Sequence, residues 1–272
     1  MNRLSKWIPF SAGAPGPISR SSMVFAAAAL GVMLISVACG TSSSSSRTTQ
    51  MRVVHLAPQE QQPLEMLIDN RSVFSTITYG VPTDFTTVTA INHDLKLNLS
   101  STNLLDSPTE PFTAGTTYTY IITNSLSAGV NLQGNKLIDD HTVADSGMFK
   151  IRLVNGSPNS GPVDVYVVLP STLFNVTPPI KPTVAGLASN SPSAYQSLAS
   201  GGYDIFITPA GDQSCLVPPP PHNCLINLDG RNNTAIPAFQ AGQNRTLIMV
   251  NEVPQIPGGS LYTTLPMLAD LN

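Results

Sequence analysis

Residues 52–58 read RVVHLAP, and residues 152–158 read RLVNGSP. The segments that follow also correspond, because LEMLID at 64–69 is answered by VDVYV at 163–167. Both segments alternate polar and apolar residues in their first half, as half-buried strands do. A repeat of this kind indicates that the chain contains more than one copy of the same structural unit. The sequence therefore predicts two copies of one β unit.

A closing phrase supports the same repeat. FTAGTTYT at 112–119 matches FQAGQNRT at 239–246, and the order of motifs is preserved between the copies. The offset between the copies grows along the chain, so the second copy carries extra residues. We predict insertions at 170–182 and 212–237, where prolines block ladder hydrogen bonds. Because loops tolerate growth in length, we expect both insertions at the ends of a sandwich.

The fold class follows from the short apolar segments between turn residues. They are rich in β-branched and aromatic residues, and the 19 Gly and 24 Pro punctuate the chain too often for long helices. The predicted strands of the first copy are 52–56, 64–68, 85–90, 95–99 and 118–123. We predict an all-β chain with about seven strands per copy, arranged as β sandwiches.

Composition excludes some partners. Charged residues make up 11% of the 272 residues, against about a quarter in typical soluble proteins. Solvated faces must therefore be built from Ser, Thr, Asn and Gln, which is common in exported β proteins. The net charge of -3 gives no reason to expect nucleic acid, because phosphate binding needs clustered Lys and Arg.

The N-terminus predicts export and a membrane anchor. Arg3, Lys6 and Arg20 precede the apolar run 23–38, which has the length of a signal-peptide core. The run ends in ISVACG at 35–40, which resembles a bacterial lipobox. We predict a cleaved signal helix over 1–38 and lipidation of Cys39. Ordinary cleavage, which would leave Cys39 as a free thiol, stays open because Ser36 stands where lipoboxes usually carry Leu.

A tether is predicted after the anchor, over residues 39–50. Its Ser42–Ser46 run has almost no side chain to bury and stays extended. This arrangement predicts a cell-envelope location, held to the membrane through the N-terminal lipid. By resemblance to enteric lipoproteins, Gly40 after the Cys favours the outer membrane or cell surface.

The repeated motifs resemble a bacterial family catalogued as domain of unknown function 4397. The resemblance covers roughly 51–126 and 149–253, with departures at Glu65, Asn155 and Arg245. It implies exported proteins built as tandem immunoglobulin-like β sandwiches, with no established activity. We accordingly predict sandwich domains at 51–128 and 148–265, joined by a linker over 129–147.

The chemistry-bearing residues predict neither a catalytic site nor a metal or cofactor site. The four histidines have no partners at metal-ligand spacing, and no GxSxG elbow occurs. Because Asn155 replaces His55 in the second copy, a hydrogen-bonding role near a turn is favoured over catalysis. Glu65 and Asp164 occupy equivalent strands of different copies and are not expected to act as a pair.

An acidic cluster lies in the predicted linker. It comprises Asp139, Asp140 and Asp145, beside His141. A weak calcium site there is conceivable because calcium takes several oxygen ligands, but we favour a solvated linker.

The second copy carries two cysteines. Cys215 and Cys224 flank a proline run, Pro218, Pro219, Pro220 and Pro221, and export favours a disulfide between them. The bridged loop is either a recognition surface or a clipped insertion that resists proteolysis.

Three functions are compatible with this sequence. The first is a non-enzymatic envelope lipoprotein whose sandwiches make structural or adhesive contacts with protein or glycan. The second is a periplasmic small-ligand-binding protein with an apolar pocket between the domains. The third, an exported hydrolase with a site assembled from loops, is the least favoured.

Overall fold

The computed structural model describes residues 47–58, 60–100, 102–124, 132–170, 172–216, 224–228, 238–251, 262–264 and 268–269. Within these residues the chain is all β apart from one 3₁₀ turn, Ser214–Leu216, so the predicted fold class is confirmed. The predicted signal helix and Cys39 lie outside the described residues. No helix among the described residues has the length and apolar character needed to span a bilayer.

Eight strands form the first pair of sheets. They are β1 Thr48–His55, β2 Leu64–Ile68, β3 Arg71–Ile77, β4 Thr86–Thr89, β5 Asn92–Leu99, β6 Thr102–Pro111, β7 Thr117–Asn124 and β8 Leu132–Ile138. One sheet has the order β4-β1-β7-β8 and the other β3-β2-β5-β6. One expected boundary is wrong, because the tether was predicted to reach residue 50 but β1 begins at Thr48. The number of strands also differs, since each pair of sheets has more than the seven expected.

The second pair of sheets follows. The strands of this part of the chain are β9 Met148–Asn155, β10 Val163–Val168, β11 Val184–Leu187, β12 Ser191–Pro192, β13 Gln196–Ala199, β14 Gly201–Gly202, β15 Asp204–Pro209, β16 Ile226–Leu228, β17 Ala238–Phe239, β18 Asn244–Asn251, β19 Tyr262–Thr264 and β20 Leu268–Ala269. Of these, β14 and β17 form a separate two-stranded sheet. One sheet has the order β11-β10-β15-β16. In the other, β9 lies between β18 and the edge strands β12 and β13, and β18 also pairs with β19 and β20.

The two pairs of sheets share one strand order. In each, the first strand runs parallel to a late strand: Arg52 of β1 pairs with Thr119 of β7, and Arg152 of β9 pairs with Thr246 of β18. The repeated motifs therefore occupy equivalent central strands.

The predicted linker over 129–147 is wrong for residues 132–138, which form β8 along the edge of β7. Gly134 and its Asn neighbour read as loop residues, yet Gly134 lies where the Tyr120 ring needs space. Only the packing of β7 against β8 shows that this glycine belongs to a strand.

Each sandwich has its own core. Met51, Val53, Met66, Leu97 and Tyr120 are among the buried residues of the first. The second core is built from the equivalent strands. Alternation along β2, with Leu64, Met66 and Ile68 buried and the residues between them half-buried, is the pattern expected of a strand with one core face.

The first insertion of the second sandwich covers a sheet instead of extending from an end. Tyr166 and Phe206 pair on the outer face of β10 and β15, and Phe174 from residues 170–182 packs edge-on against both rings. In the first sandwich the equivalent pair is Leu67 and Lys96, and both side chains are half-buried and partly exposed to solvent. The expected position at a sandwich end is therefore wrong for this insertion, because its apolar residues bury an aromatic face.

The sandwiches also pack against each other. Val54 and Ile121 of the first and Val154 and Ile248 of the second form one buried cluster with Leu56, Leu137 and Val250. Each such side chain contributes roughly 1.5 to 3 kcal/mol on burial. The sheets that contain β1 and β9 are thus covered on both faces at these positions.

The close approach of Gly134 and Tyr120 gives a direct test of β8. A Cβ at Gly134 would lie 1.8 Å from Tyr120 Oη, so Gly134→Ala should lower the free energy of unfolding by about 2 to 3 kcal/mol. Gly115→Ala is the comparison, because Gly115 has a φ of +72° and no atom within 4 Å, and should cost only about 1 kcal/mol. Urea unfolding measures both, and equal losses would contradict the strand assignment.

Candidate functional site

The carboxylate of Asp139 is the centre of a buried polar cluster. Arg152 Nη2 donates to Asp139 Oδ1 at 2.7 Å, and Arg52 Nη2 lies 3.9 Å from Asp139 Oδ2. All three side chains are almost fully buried. One carboxylate is therefore shared by arginines from the first strands of both sandwiches.

Matched partners hold the two arginines. Arg52 Nε donates to Thr119 Oγ1 at 2.8 Å, and Arg152 Nε donates to Thr246 Oγ1 at 3.1 Å. Thr119 Oγ1 in turn donates to Asp139 Oδ2 at 2.6 Å.

Each guanidinium also lies over an aromatic ring. Phe85 is 4.7 Å from Arg52 and Tyr195 is 4.8 Å from Arg152, measured to the ring centroids. Each arginine therefore has a threonine and an aromatic ring at matched places in the repeat, whereas the Asp139 carboxylate at the centre of the cluster has no counterpart. The cluster places the negative charge of Asp139 beside two buried guanidinium groups where the two sandwiches meet.

The expectation of a solvated acidic linker is wrong for Asp139 and incomplete for Asp140. Asp140 Oδ2 accepts from Lys150 Nζ at 2.7 Å, and Asp140 Oδ1 accepts from the amide and hydroxyl of Thr142. Burial alone would raise the pKa of Asp140, but these hydrogen bonds outweigh it and lower the pKa from 3.8 to about 2. No group of three or more acidic, His or Cys side chains able to hold a metal occurs in the part of the chain that the structure describes.

His55 and Asn155 have the structural role expected of them. His55 Nδ1 accepts from the Ala57 amide at 3.4 Å, and Asn155 Oδ1 accepts from the Ser157 amide at 3.2 Å. Both side chains are buried, and burial lowers the pKa of His55 below its usual 6.5. Each therefore closes the turn that follows its strand.

A groove of about 480 Å³ opens on one side of the first sandwich. It lies between β3 and β4, which are the outer strands of their sheets. Ile68, Val73 and Val88 form its apolar floor, and its polar lining comprises Asp69, Arg71, Thr87, Thr89 and His93. On the opposite side of this sandwich, Lys136 Nζ donates to Glu110 Oε2 at 2.9 Å and joins β8 to β6.

The groove contains a carboxylate, an imidazole and a hydroxyl in a row. His93 Nδ1 is 2.6 Å from Asp69 Oδ2, and His93 Nε2 is 3.1 Å from Thr89 Oγ1. His93 Nε2 is also 2.9 Å from the Thr89 carbonyl oxygen. A neutral imidazole that donates from Nδ1 to Asp69 accepts from the Thr89 hydroxyl at Nε2, whereas one that donates from Nε2 to the Thr89 carbonyl has no hydrogen on Nδ1 for Asp69.

The second sandwich shows what His93 does. Tyr203, at the equivalent position, donates from its hydroxyl to the Ala199 carbonyl oxygen at 2.6 Å. Thr89 and Ala199 are the last residues of equivalent outer strands, β4 and β13. Both side chains thus lie beside the last carbonyl oxygen of an outer strand, and the Asp69 carboxylate contacts the opposite nitrogen of the His93 ring.

The remaining candidates are dispersed. Asp164 accepts from the amides of Gly186 and Gly211 at 2.7 and 2.8 Å, whereas Glu65 lies half-buried in the other sandwich. Between the sandwiches, where an apolar ligand pocket was one hypothesis, the described side chains form the buried cluster around Val54 and Val154.

Part of the predicted proline loop lies outside the described residues. This applies to Pro218–Pro221 and to the side chain of Cys215. Cys224 is half-buried against the Tyr166 and Phe206 cluster. The disulfide stays a prediction.

Sequence reasoning missed Arg52, Arg152 and Asp139 as a group. The repeat contained part of the information needed to predict this group, since Arg52 and Thr119 have the counterparts Arg152 and Thr246 in the second copy. Asp139 gave no such signal because it has no counterpart in the repeat.

Removing the shared charge should weaken the junction. Asp139→Asn leaves two buried guanidinium groups without their carboxylate, and we expect a loss of about 2 to 4 kcal/mol in the free energy of unfolding. Asp140→Asn, at a partly exposed ion pair, should cost about 1 kcal/mol or less. Urea unfolding at neutral pH compares them, and a loss at Asp139 no larger than at Asp140 would refute the shared-charge interpretation.

Asp140 also predicts a pH dependence. Its folded pKa of about 2 lies below its ordinary 3.8, so its contribution to stability is complete above about pH 4 and is lost as pH falls towards 2. Thermal unfolding of the wild type and of Asp140→Asn between pH 2 and 5 tests this. The difference between their melting temperatures should shrink across that range, and a constant difference would contradict the assignment.

Comparison with protein families gives a match over part of the chain. No curated protein matches the chain. The family match is continuous and runs from β1 through the first sandwich to Tyr166 in β10 of the second. Residues 49–166 are similar to the family described as Domain of unknown function (DUF4397).

Proposed function

We propose that this protein is a non-enzymatic lipoprotein of the bacterial cell envelope that displays a rigid pair of β sandwiches for structural or adhesive contact with protein or glycan. The observation that carries the proposal is the order of segments: an apolar leader, Cys39, a serine-rich stretch and then an all-β body. A lipid on Cys39 holds the body near the membrane, and the serine-rich stretch lets it reach outward. Gly40 favours the outer membrane or the cell surface.

The body is proposed to be two copies of the DUF4397 module. Support comes from the shared strand order and from the pairing of Arg52 with Thr119 and of Arg152 with Thr246 at equivalent registers. The family match extends into the second sandwich only as far as Tyr166.

A rigid pair suits display better than two independent modules. A junction that combines apolar packing with a shared buried charge holds the second sandwich against the first. The second sandwich adds a proline-rich loop, for which we propose a disulfide between Cys215 and Cys224.

A non-enzymatic role is supported by how the polar side chains are used. His55 closes a turn, His93 lies at the end of an outer strand, and Asp139 pairs with two arginines. Each of these groups, which in a catalytic site would act on a substrate, is held by hydrogen bonds within the fold.

The proposal predicts acylation of Cys39. Cells that express the full chain and grow with labelled palmitate should incorporate label into the wild type, because the thiol of Cys39 is the acceptor. Cys39→Ser should incorporate none. Mass spectrometry of the N-terminal peptide should show acyl chains on Cys39 after loss of residues 1–38.

The control is the double variant Cys215→Ser, Cys224→Ser, which removes the other two cysteines and should keep its label. A mature N-terminus with an unmodified thiol would overturn the anchor, and with it the proposed display from a membrane.

A further inference from the structure

We propose that the groove between β3 and β4 binds an extended, carboxylate-bearing peptide, which adds a strand to the outer edge of β4. The inference deepens the proposed display function by naming its kind of partner, and it rests on that function for the peptide's source in the envelope. Binding in solution does not require the lipid, so the two proposals fail separately.

The backbone of β4 points hydrogen-bonding groups into this groove. In an antiparallel pair, residues bonded to the partner alternate with residues whose N–H and C=O groups point away. The Ala90 amide donates to the Arg47 carbonyl oxygen at 2.8 Å, and the register pairs Val88 with Thr49. Ala90 and Val88 therefore face β1, and Thr87 and Thr89 face outward.

His93 supports this assignment and limits the open edge. Its Nε2 lies 2.9 Å from the outward carbonyl oxygen of Thr89. Thr87, two residues earlier, presents its amide and carbonyl towards the groove. No described strand lies beyond β4 in its sheet.

The groove fits a strand in shape and polarity. Its volume of about 480 Å³ is bounded by outer strands of two different sheets. Side chains of an added strand would alternate between the apolar floor of Ile68, Val73 and Val88 and the solvent. A segment of about five residues, roughly 17 Å long, would span such an edge. No Phe, Tyr or Trp side chain lines the groove among the described residues, which favours backbone pairing over stacking of a planar ligand.

Charge selects a carboxylate on the peptide. Arg71 lies exposed at the groove, and its guanidinium can donate two hydrogen bonds to a carboxylate. The competing anion, Asp69, already accepts from the Asp94 amide at 3.0 Å and contacts His93 at 2.6 Å. Asp69 also interacts electrostatically with Arg71, so a carboxylate on the peptide competes with Asp69 for the exposed guanidinium.

The direct test uses two capped, fluorescent peptides of about ten residues. Each alternates Thr and Val, and the central residue is Glu in one and Lys in the other. Fluorescence anisotropy with the full chain in detergent should give saturable binding of the Glu peptide with a Kd below about 1 mM. The Lys peptide should bind at least about tenfold more weakly. Hydrogen-exchange mass spectrometry should show slower exchange in β4 when the Glu peptide is bound.

Variants separate backbone pairing from side-chain contact. Thr87→Pro removes the outward N–H but no ladder bond to β1, and should weaken binding of the Glu peptide about tenfold or more. Thr87→Ala keeps the N–H and should bind as the wild type does. Ser197→Pro, at the equivalent register position of β13, is the matched control and should leave binding unchanged.

Arg71→Glu keeps the inference testable if Thr87→Pro does not fold, and it should reverse the preference between the two peptides. No saturable binding of the Glu peptide, equal affinity for both peptides, or full binding by a folded Thr87→Pro overturns the inference. Acylation of Cys39 is measured independently, so its absence would refute the anchor and leave the peptide result standing.

Discussion

The carboxylate of Asp139 is the constraint on which the arrangement of the two sandwiches depends. Arg52 and Arg152 lie at the same place in the repeat and face the same junction. Two guanidinium groups could not be buried there without a counter-charge, because desolvation of an isolated charge costs several kcal/mol. Thr119 and Thr246 fix the orientation of each arginine, and the surrounding aliphatic residues keep water out. The buried charge pairing at Asp139 and the aliphatic packing between the sandwiches therefore depend on each other.

That junction determines how the other sheets are used. In each sandwich the sheet with the parallel strand pair faces the partner sandwich, so the second sheet is left to face outward. In the first sandwich this outer face is half-buried and polar around Lys96. In the second it carries Tyr166 and Phe206, and the insertion that contains Phe174 covers them. The insertion is thus a packing element, and the added prolines are compatible with a segment that covers a sheet without joining its ladder.

The polar side chains show why fold position matters more than residue type. Asp69, His93 and Thr89 form a row of carboxylate, imidazole and hydroxyl, and the same imidazole nitrogen that contacts the hydroxyl also contacts the carbonyl oxygen at the end of β4. Tyr203 makes the same contact in the second sandwich with different chemistry. Both copies place a polar side chain beside the last carbonyl oxygen of an outer strand. In each copy that side chain comes from the segment that follows the outer strand.

Sequence alone determined the elements whose periodicity is set locally. The alternation in 64–68, the apolar run through 118–123 and the repeated motifs were enough to predict β sandwiches, because each strand must present a core face every second residue. The turn-closing roles of His55 and Asn155 were also predictable, since one replaces the other in the repeat. Tertiary structure alone decided that Gly134 belongs to a strand, that Asp139 is buried and that Phe174 covers a sheet. Each of these depends on a partner distant in sequence: the ring of Tyr120, the guanidinium of Arg152 and the aromatic pair of β10 and β15. The local sequence pattern does not identify a contact with a residue distant in the chain, so these contacts are known only from the folded structure.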